Sequence, residues 1–388
     1  MAIFHSILDN DFYKFTMQNA VTQLFPNTKA RYAFINRGEH DFPSGFADAL
    51  QQEVLAMQDL ALSRAEKDFL KKRCPYLSPV YLDFLEGYRY DASEVQIEQN
   101  GNNISVTVEG YWYRTILWEV PLLALISELF YTQHQLTPWT DEQITANTLS
   151  KLQLYQDLQV PVAEFGTRRR HSLHTHNLVV KTLKENNEGS FIGSSNVHMA
   201  MKYDTRPIGT HAHEWFMFHA AEYGFKMSNA VALENWVKIY RGDLGVALSD
   251  TYTTEVFFRQ FDKKFAKLFD GVRHDSGDPV EFAHKTIAHY KSLGINPLYK
   301  FIIFSDGLNS AKVADITEQC RGKIGISFGI GTNLTNDVGL KPMNIVLKLM
   351  QVQTTDGGWE HVVKLSDEPK KHTGTPEMIA LAQQVLKT

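Results

Sequence analysis

Two histidines stand two residues apart in GTHAHEWF (209–216), with Glu214 and Trp215 directly behind them. His211 and His213 admit three chemistries. They could contribute to a zinc site, which would need a third ligand. One could act as a nucleophile or acid/base, needing a neutral ring nitrogen and a partner such as Asp250 or Glu214 to fix the other nitrogen. Either could instead be a buried, hydrogen-bonded structural residue. His171, His174 and His176 could supply a further metal ligand, but HSLHTH reads as a helix. The sequence therefore predicts no metal site built on this pair.

Other polar clusters carry complementary chemistry. FGIGTN (328–333) combines Gly329 and Gly331, which let backbone approach a ligand, with the Thr332 hydroxyl, a pattern suited to phosphate. A plain tight turn is the competing reading. RHDSGDP (273–279) offers Arg273 and Asp275 for a ribose diol or a water-bridged Mg²⁺, while Asp278 reads as a helix cap. FGTRRRHS (165–172) presents an aromatic ring and three arginines. Guanidinium groups bind carboxylates and phosphates through paired hydrogen bonds. Adjacent arginines cannot all face one way, so Arg169 and Arg170 read equally well as a solvated patch. SFIGSSN (190–196) adds small hydroxyl donors, and SDGLN (305–309) adds Asp306.

The elements that must position these residues follow from spacing. The chain has 388 residues, 43% of them hydrophobic and 21% charged, with net charge −5. That length and composition indicate an ordinary globular protein of about two domains. The negative balance argues against a dedicated nucleic-acid binder. Two distant cysteines, Cys74 and Cys320, give neither zinc spacing nor a disulfide framework. MAIFHSILDNDFYKF lacks signal-peptide features, and VPLLALISELF (120–130) is too short and too acidic for a membrane span. A cytoplasmic location is expected.

From about residue 160, seven short apolar runs each end in a polar, glycine-containing cluster: 161–172, 190–196, 206–214, 245–253, 271–279, 300–309 and 324–334. Helical segments lie between several of them. One is DPVEFAHKTIAHYKSLG, with Asp278 as N-cap, Pro279 at N1, Glu281 completing a capping box and Gly294 ending the helix. Repeated strand, cluster and helix imply a parallel sheet. Seven repeats favour a barrel over an open sheet, with the clusters at the strand C-termini, where active sites of barrels lie. Residues 1–140 read as a mixed α+β domain. Its parts are a helix over 11–25 capped by Asp9 or Asp11, broken helices over 63–88 and a hairpin over 95–112. Residues 343–369 read as two antiparallel strands folding back on that domain, followed by a capped helix. The expected division is 1–140 with 343–388, and a barrel over 141–342.

The strings LDNDFYKFTMQNA, EFGTRRRHS, PIGTHAHEW, RHDSGDP, FSDGLN and FGIGTNLTND, in this order over residues 8–337, resemble the nicotinate phosphoribosyltransferase family, bacterial type. KPMNIVLKLM and VVKLSD extend the resemblance nearly to the end. It implies an irregular TIM-like α/β barrel of the type II phosphoribosyltransferase kind with a mixed N-terminal domain. It implies joining of nicotinate to 5-phosphoribosyl 1-pyrophosphate (PRPP), giving nicotinate mononucleotide and diphosphate in NAD salvage. Mg²⁺ is the implied cofactor, ATP a co-substrate, and the implied assembly a homodimer with sites at the interface.

By the same resemblance His213 is the residue transiently phosphorylated by ATP, and His211 sits at a variable position. Phe165 and Tyr13 sandwich the pyridine ring, Tyr13 from the partner subunit, with Arg168 beside it. Arg273 and Asp275 contact ribose and ring, Asp306 and Gly307 lie near the sugar, and Gly331 and Thr332 bind the 5′-phosphate. Thr210 belongs to the substrate-binding motif. Ser195 stands where nicotinamide-using relatives carry an aspartate, so the acid is the expected substrate. Arg37 and Lys348 are candidates for diphosphate binding. Three other readings compete: a nicotinamide or quinolinate relative, an unrelated phosphate-binding barrel, and a non-catalytic ligand-binding protein. The second would need a Schiff-base lysine or a carboxylate base at a strand end.

Overall fold

The computed structural model describes residues 3–388. Among the described residues, twelve of the thirteen strands fall into two sheets and one short strand lies outside them. β1 (Lys29–Asn36), β2 (Val95–Asn100) and β3 (Asn103–Tyr111) belong to a five-stranded sheet with β12 (Ile345–Gln353) and β13 (Trp359–His361), in the order β13-β12-β1-β3-β2. β2 and β3 pair antiparallel about Gly101, whose φ of +58° suits the turn. The expected hairpin over 95–112 is present. β12 and β13 are antiparallel about the DGG turn and share a sheet with β1.

The second sheet has the order β6-β5-β4-β11-β10-β9-β8. Its strands are β4 (Val162–Glu164), β5 (Phe191–Ser194), β6 (Arg206–Pro207), β8 (Val246–Leu248), β9 (Gly271–His274), β10 (Phe301–Phe304) and β11 (Gly325–Ile330); β7 (Arg241–Leu244) lies outside it. Each of the seven expected clusters begins in one of these strands. The sheet is parallel and curled, with β6 and β8 at its edges, a half-barrel of the irregular kind expected. The strands are short because each hands over to a polar loop within about four residues, and the sheet-forming residues of β8 and β10 are largely apolar.

The chain divides into two compact units. The first comprises 1–154, 163–209 and 330–349; the second comprises 155–162, 210–329 and 350–388. Within the first, Val120–Ser127 and Tyr131 of the helix Glu119–Gln133 are buried. The run Trp112–Gln133 is long and apolar enough to span a bilayer by length and composition, yet 72% of its most apolar window is buried in the fold. It is a core helix, as the glutamate within it suggests.

Two local expectations change. Asp11 occupies the N-cap position of the helix Phe12–Leu24 but makes no side-chain cap; its carboxylate accepts the Ser195 hydroxyl instead. Asp278 does cap the helix Pro279–Ser292, through the Glu281 N–H. Glu281, however, does not complete a box, because its carboxylate pairs with Lys285 one turn on.

Arg170 is the larger correction. It is no solvated patch: its side chain has 0% exposure, and Nη1 and Nη2 donate to Asp9 Oδ1 and Oδ2 at 2.7 and 2.9 Å. Asn196 Nδ2 donates to the same Asp9 at 2.6 Å. Burial works to raise the Asp9 pKa, but Arg170 outweighs it and the carboxylate stays below its usual range. Removing one partner of such a pair costs about 3–5 kcal/mol, because the other is left buried and uncompensated. Arg170→Met should show that loss in urea unfolding, while Asp9→Asn/Arg170→Met should lose clearly less. Equal losses would mean that packing, not charge, holds this site.

Candidate active site

In the first unit the groups gather around Arg168. β4 ends at Glu164, and a short 3-10 turn over Thr167–Arg169 sends the three arginines in three directions. Arg170 turns into the core, Arg169 is half-buried and Arg168 is exposed. Arg168 lies over the Tyr13 ring at 6.0 Å, with its nitrogens 3.8 Å from Asp11 and 3.7 Å from Glu119. Lys14, fully buried, pairs with Glu119 at 2.5 Å. Burial works to raise the Glu119 pKa, but Lys14 and Arg168 outweigh it and lower it. Lys348 also acts on Glu119, so this candidate diphosphate cation stands close to the Arg168 group. Arg37 is half-buried, which lowers its pKa.

Tyr13 was assigned by resemblance to a partner subunit. Within this single chain it already lies beside Arg168 and against Gly209, where an added Cβ would stand 2.8 Å from the Tyr13 nitrogen. The helix that begins at Phe12 fixes it there, since Phe12 N–H donates to Ser195 O at 2.7 Å. Ser195 is 4% exposed and its hydroxyl donates to Asp11 at 2.7 Å. The serine therefore does not leave this region free of carboxylate. Burial raises the Asp11 pKa, while Arg168 and Ser195 oppose the rise.

The glycine turn abuts this loop. Phe165 N–H donates to Ile330 O at 2.8 Å, and a Cβ on Gly331 would come 3.2 Å from Phe165 O. Thr335 closes the other side: its hydroxyl donates to Gly166 O at 2.9 Å, and a Cβ on Gly166 would collide with it. Phe165, Gly331 and Thr332 are half-buried and open to a ligand.

In the second unit His213 begins the helix His213–Tyr223. Its Nδ1 lies 3.1 Å from Thr251 Oγ1, and its Nε2 lies 2.9 Å from Asp275 Oδ2 and 2.9 Å from Lys364 Nζ. Asp250 is 3.7 Å away and accepts from Ser276 at 2.6 Å. Ser305 donates to the other Asp275 oxygen at 2.8 Å. Arg273 is 3.9 Å from Asp275 and donates to His211 O at 3.1 Å. Asp306 pairs with Lys371 at 2.7 Å, and Gly307 has φ +52°. Thr210 is half-buried in the loop before the helix.

The two histidines of the motif part company. His211 is fully buried between Phe216 and Trp236, and its Nε2 accepts the Leu248 N–H at 3.2 Å. It is the structural histidine. His213 instead meets Thr251, Asp275 and Lys364 with its ring nitrogens. Burial pushes its pKa down to about 4, Lys364 adds to that, and Asp250 and Asp275 oppose it. At neutral pH the ring is uncharged. Nε2 then either donates to Asp275 or accepts from Lys364, with Thr251 satisfying Nδ1 in the complementary sense. Burial also works against charge on Asp275, but His213 and Arg273 hold its pKa well below the usual range.

Atoms of His213, Asp250 and Asp275 lie within 4.8 Å of one another, the separation of a metal's ligands. The Lys364 ammonium, however, already stands among them. Lys364 and Thr251 were not singled out from sequence. VVKLSD gives no chemical signal, and only folding brings it 151 positions back to His213.

A neutral histidine set among charges, an aromatic ring with an arginine, and a glycine turn near a strand end are the equipment of an α/β group-transfer enzyme acting on anionic substrates. The chain matches the nicotinate phosphoribosyltransferase (NAPRTase) family model over 160–388 and the family's N-terminal domain model over 8–127. It is 58% identical over 381 residues to the nicotinate phosphoribosyltransferase of Chromohalobacter salexigens, covering 98% of both chains. It is 48% identical to that of Desulforapulum autotrophicum, again over 98% of both. The crystal structure of nicotinate phosphoribosyltransferase from Porphyromonas gingivalis superposes with a TM-score of 0.97 at 46% identity, covering 100% of each chain. The chain belongs to the nicotinate phosphoribosyltransferase family.

The electrostatics predict a pH profile. The histidine is lost as a nucleophile only when protonated, so His213-dependent activity should hold as pH falls from 8 towards 5 and drop as it approaches 4. Lys364→Met removes a charge that lowers the His213 pKa, so the ring should titrate at higher pH. Histidine NMR titration of both proteins checks this, and an unmoved His213 resonance would exclude the Lys364 effect.

Proposed function

We infer that the chain joins nicotinate to PRPP, releasing diphosphate and nicotinate mononucleotide, and couples this to ATP hydrolysis through a phosphorylated His213. The observation that carries the coupling is the His213 ring, neutral at physiological pH and held between Thr251, Asp275 and Lys364. A neutral ring nitrogen can attack the γ-phosphorus of ATP as ADP leaves; water then cleaves the P–N bond and releases phosphate. Lys364 supplies positive charge where the phosphoryl oxygens would gather, and Thr251 and Asp275 hold the ring.

The transfer itself needs no general base. The pyridine nitrogen carries no proton, and its lone pair forms the bond to C1 of PRPP while the C1–O bond to diphosphate breaks with its electrons. Positioning and charge stabilisation supply the catalysis. In this reading Phe165, Tyr13 and Arg168 receive nicotinate, Gly331 and Thr332 the 5′-phosphate, and Arg273, Asp275, Asp306, Gly307 and Thr210 the ribose and neighbouring groups. The Lys364 ammonium stands among Asp250 and Asp275, so Mg²⁺ would enter with the diphosphate of PRPP, whose oxygens it favours, and would neutralise it as it departs. A homodimer and a cytoplasmic location complete the proposal.

Ser195 supports the acid as substrate, since it adds no second charge beside Asp11. Ser195→Asp should raise the nicotinate KM at least about tenfold through like-charge repulsion. An unchanged KM would remove Ser195 from specificity. The whole reading is tested with PRPP, Mg²⁺ and ATP, offering nicotinate, nicotinamide and quinolinate separately. Nicotinate mononucleotide should form with ADP, and His213→Ala should abolish transfer of labelled γ-phosphate to the protein. Label retained on His213→Ala would sink the phosphohistidine.

A further inference from the structure

Glu164 is the last residue of β4 and is wholly buried, with 0% exposure. It opens the string EFGTRRRHS, but neither the resemblance nor the reaction gives it a role. Its two neighbours in β4, Val162 and Ala163, are apolar and buried, as a parallel strand requires. A carboxylate there carries a large desolvation cost unless every oxygen is bonded.

Every oxygen is engaged, and three of the contacts lead to segments that carry residues of the proposed pyridine subsite. Oε1 accepts the N–H of Gly166, next to Phe165. Oε2 accepts the Ser194 hydroxyl at 2.5 Å and lies 2.9 Å from His176 Nε2. The main-chain oxygen accepts the Ser195 N–H at 2.7 Å. Ser194 Oγ in turn accepts the Asn196 N–H at 3.0 Å, and Asn196 reaches Asp9, the partner of Arg170. One residue thus fastens the loop carrying Phe165 and Arg168 to the loop carrying Ser195. Burial opposes its charge, but His176 and the hydrogen bonds prevail and the carboxylate stays ionised.

We propose that Glu164 is a positioning residue for nicotinate: it fixes the Phe165–Arg168 loop and Ser195 relative to each other, so that the ring is received in one geometry. The proposal rests on the assignment of Phe165, Arg168 and Ser195 to the pyridine ring. Glu164→Gln keeps the volume but replaces one acceptor oxygen with a donor. Turned one way, its NH2 meets the Gly166 N–H; turned the other, it meets Ser194 and His176, so one of the two sides is lost.

The test is steady-state kinetics of the full chain, with ATP turnover in the absence of nicotinate measured alongside. Small misplacements of a substrate are expensive, so Glu164→Gln should raise the nicotinate KM about tenfold and leave the PRPP KM and the nicotinate-independent ATP turnover within about twofold. Ser194→Ala, which keeps the buried charge, should raise the nicotinate KM less, and the double variant should be non-additive. Ser194→Ala also serves if Glu164→Gln fails to fold. A parallel rise of both KM values, or a nicotinate KM unchanged in both single variants, would overturn the proposal. Phe165→Ala separates the two levels. If it leaves the nicotinate KM unchanged, the subsite assignment fails and this proposal falls with it; if it raises the KM while Glu164→Gln does not, only the role of Glu164 is lost.

Discussion

A guanidinium and a carboxylate, both shut off from water, organise the first unit. Arg170 and Asp9 are 161 positions apart, yet their paired hydrogen bonds of 2.7 and 2.9 Å tie the N-terminal segment to the loop after β4. Asn196 joins the same carboxylate from the loop after β5. Two ions buried in this way tolerate little displacement, because any gap leaves desolvated charge unmatched. Three chain segments are therefore held in one register, and Tyr13, Arg168 and Ser195 are each within four residues of a member of this cluster. The fold spends burial on charge here, and the return is precision rather than stability.

The second unit handles charge differently. Around His213 two carboxylates and one ammonium lie within 3.7 Å of a ring that is itself uncharged at neutral pH. The acids favour protonation of the ring, while burial and Lys364 oppose it and win. The outcome is a neutral ring whose two nitrogens are held by a hydroxyl, a carboxylate and an ammonium. A serine and a threonine hold the geometry without adding charge: Ser305 on Asp275 and Thr251 on the ring.

Legibility in the sequence followed the range of the interactions. All seven strand ends of the parallel sheet could be read, because each is a short apolar run closed by a polar, glycine-containing cluster, a local signal. The hairpin about Gly101 and the cap at Asp278 are local too. The capping box at Glu281 failed because a competing partner, Lys285, lies one turn away on the same helix. Arg170 misled because consecutive arginines look solvated until a distant Asp9 is known. Lys364 was silent because nothing near it in the chain needs a charge.

The sequence by itself determined the types of group available, their order and the strands that end in them, and, through six ordered motifs, the family. Those are properties of segments a dozen residues long, set by side-chain chemistry, turn preference and apolar spacing. Which of two histidines is packed among aromatic rings and which is set among charges, which of three arginines faces outwards, and which lysine stands beside the His213 ring were decided only by tertiary structure. Each depends on burial and on charges brought together from more than 30 positions away, and electrostatic energy depends on distance in space and on exclusion of water, neither of which is written along the chain.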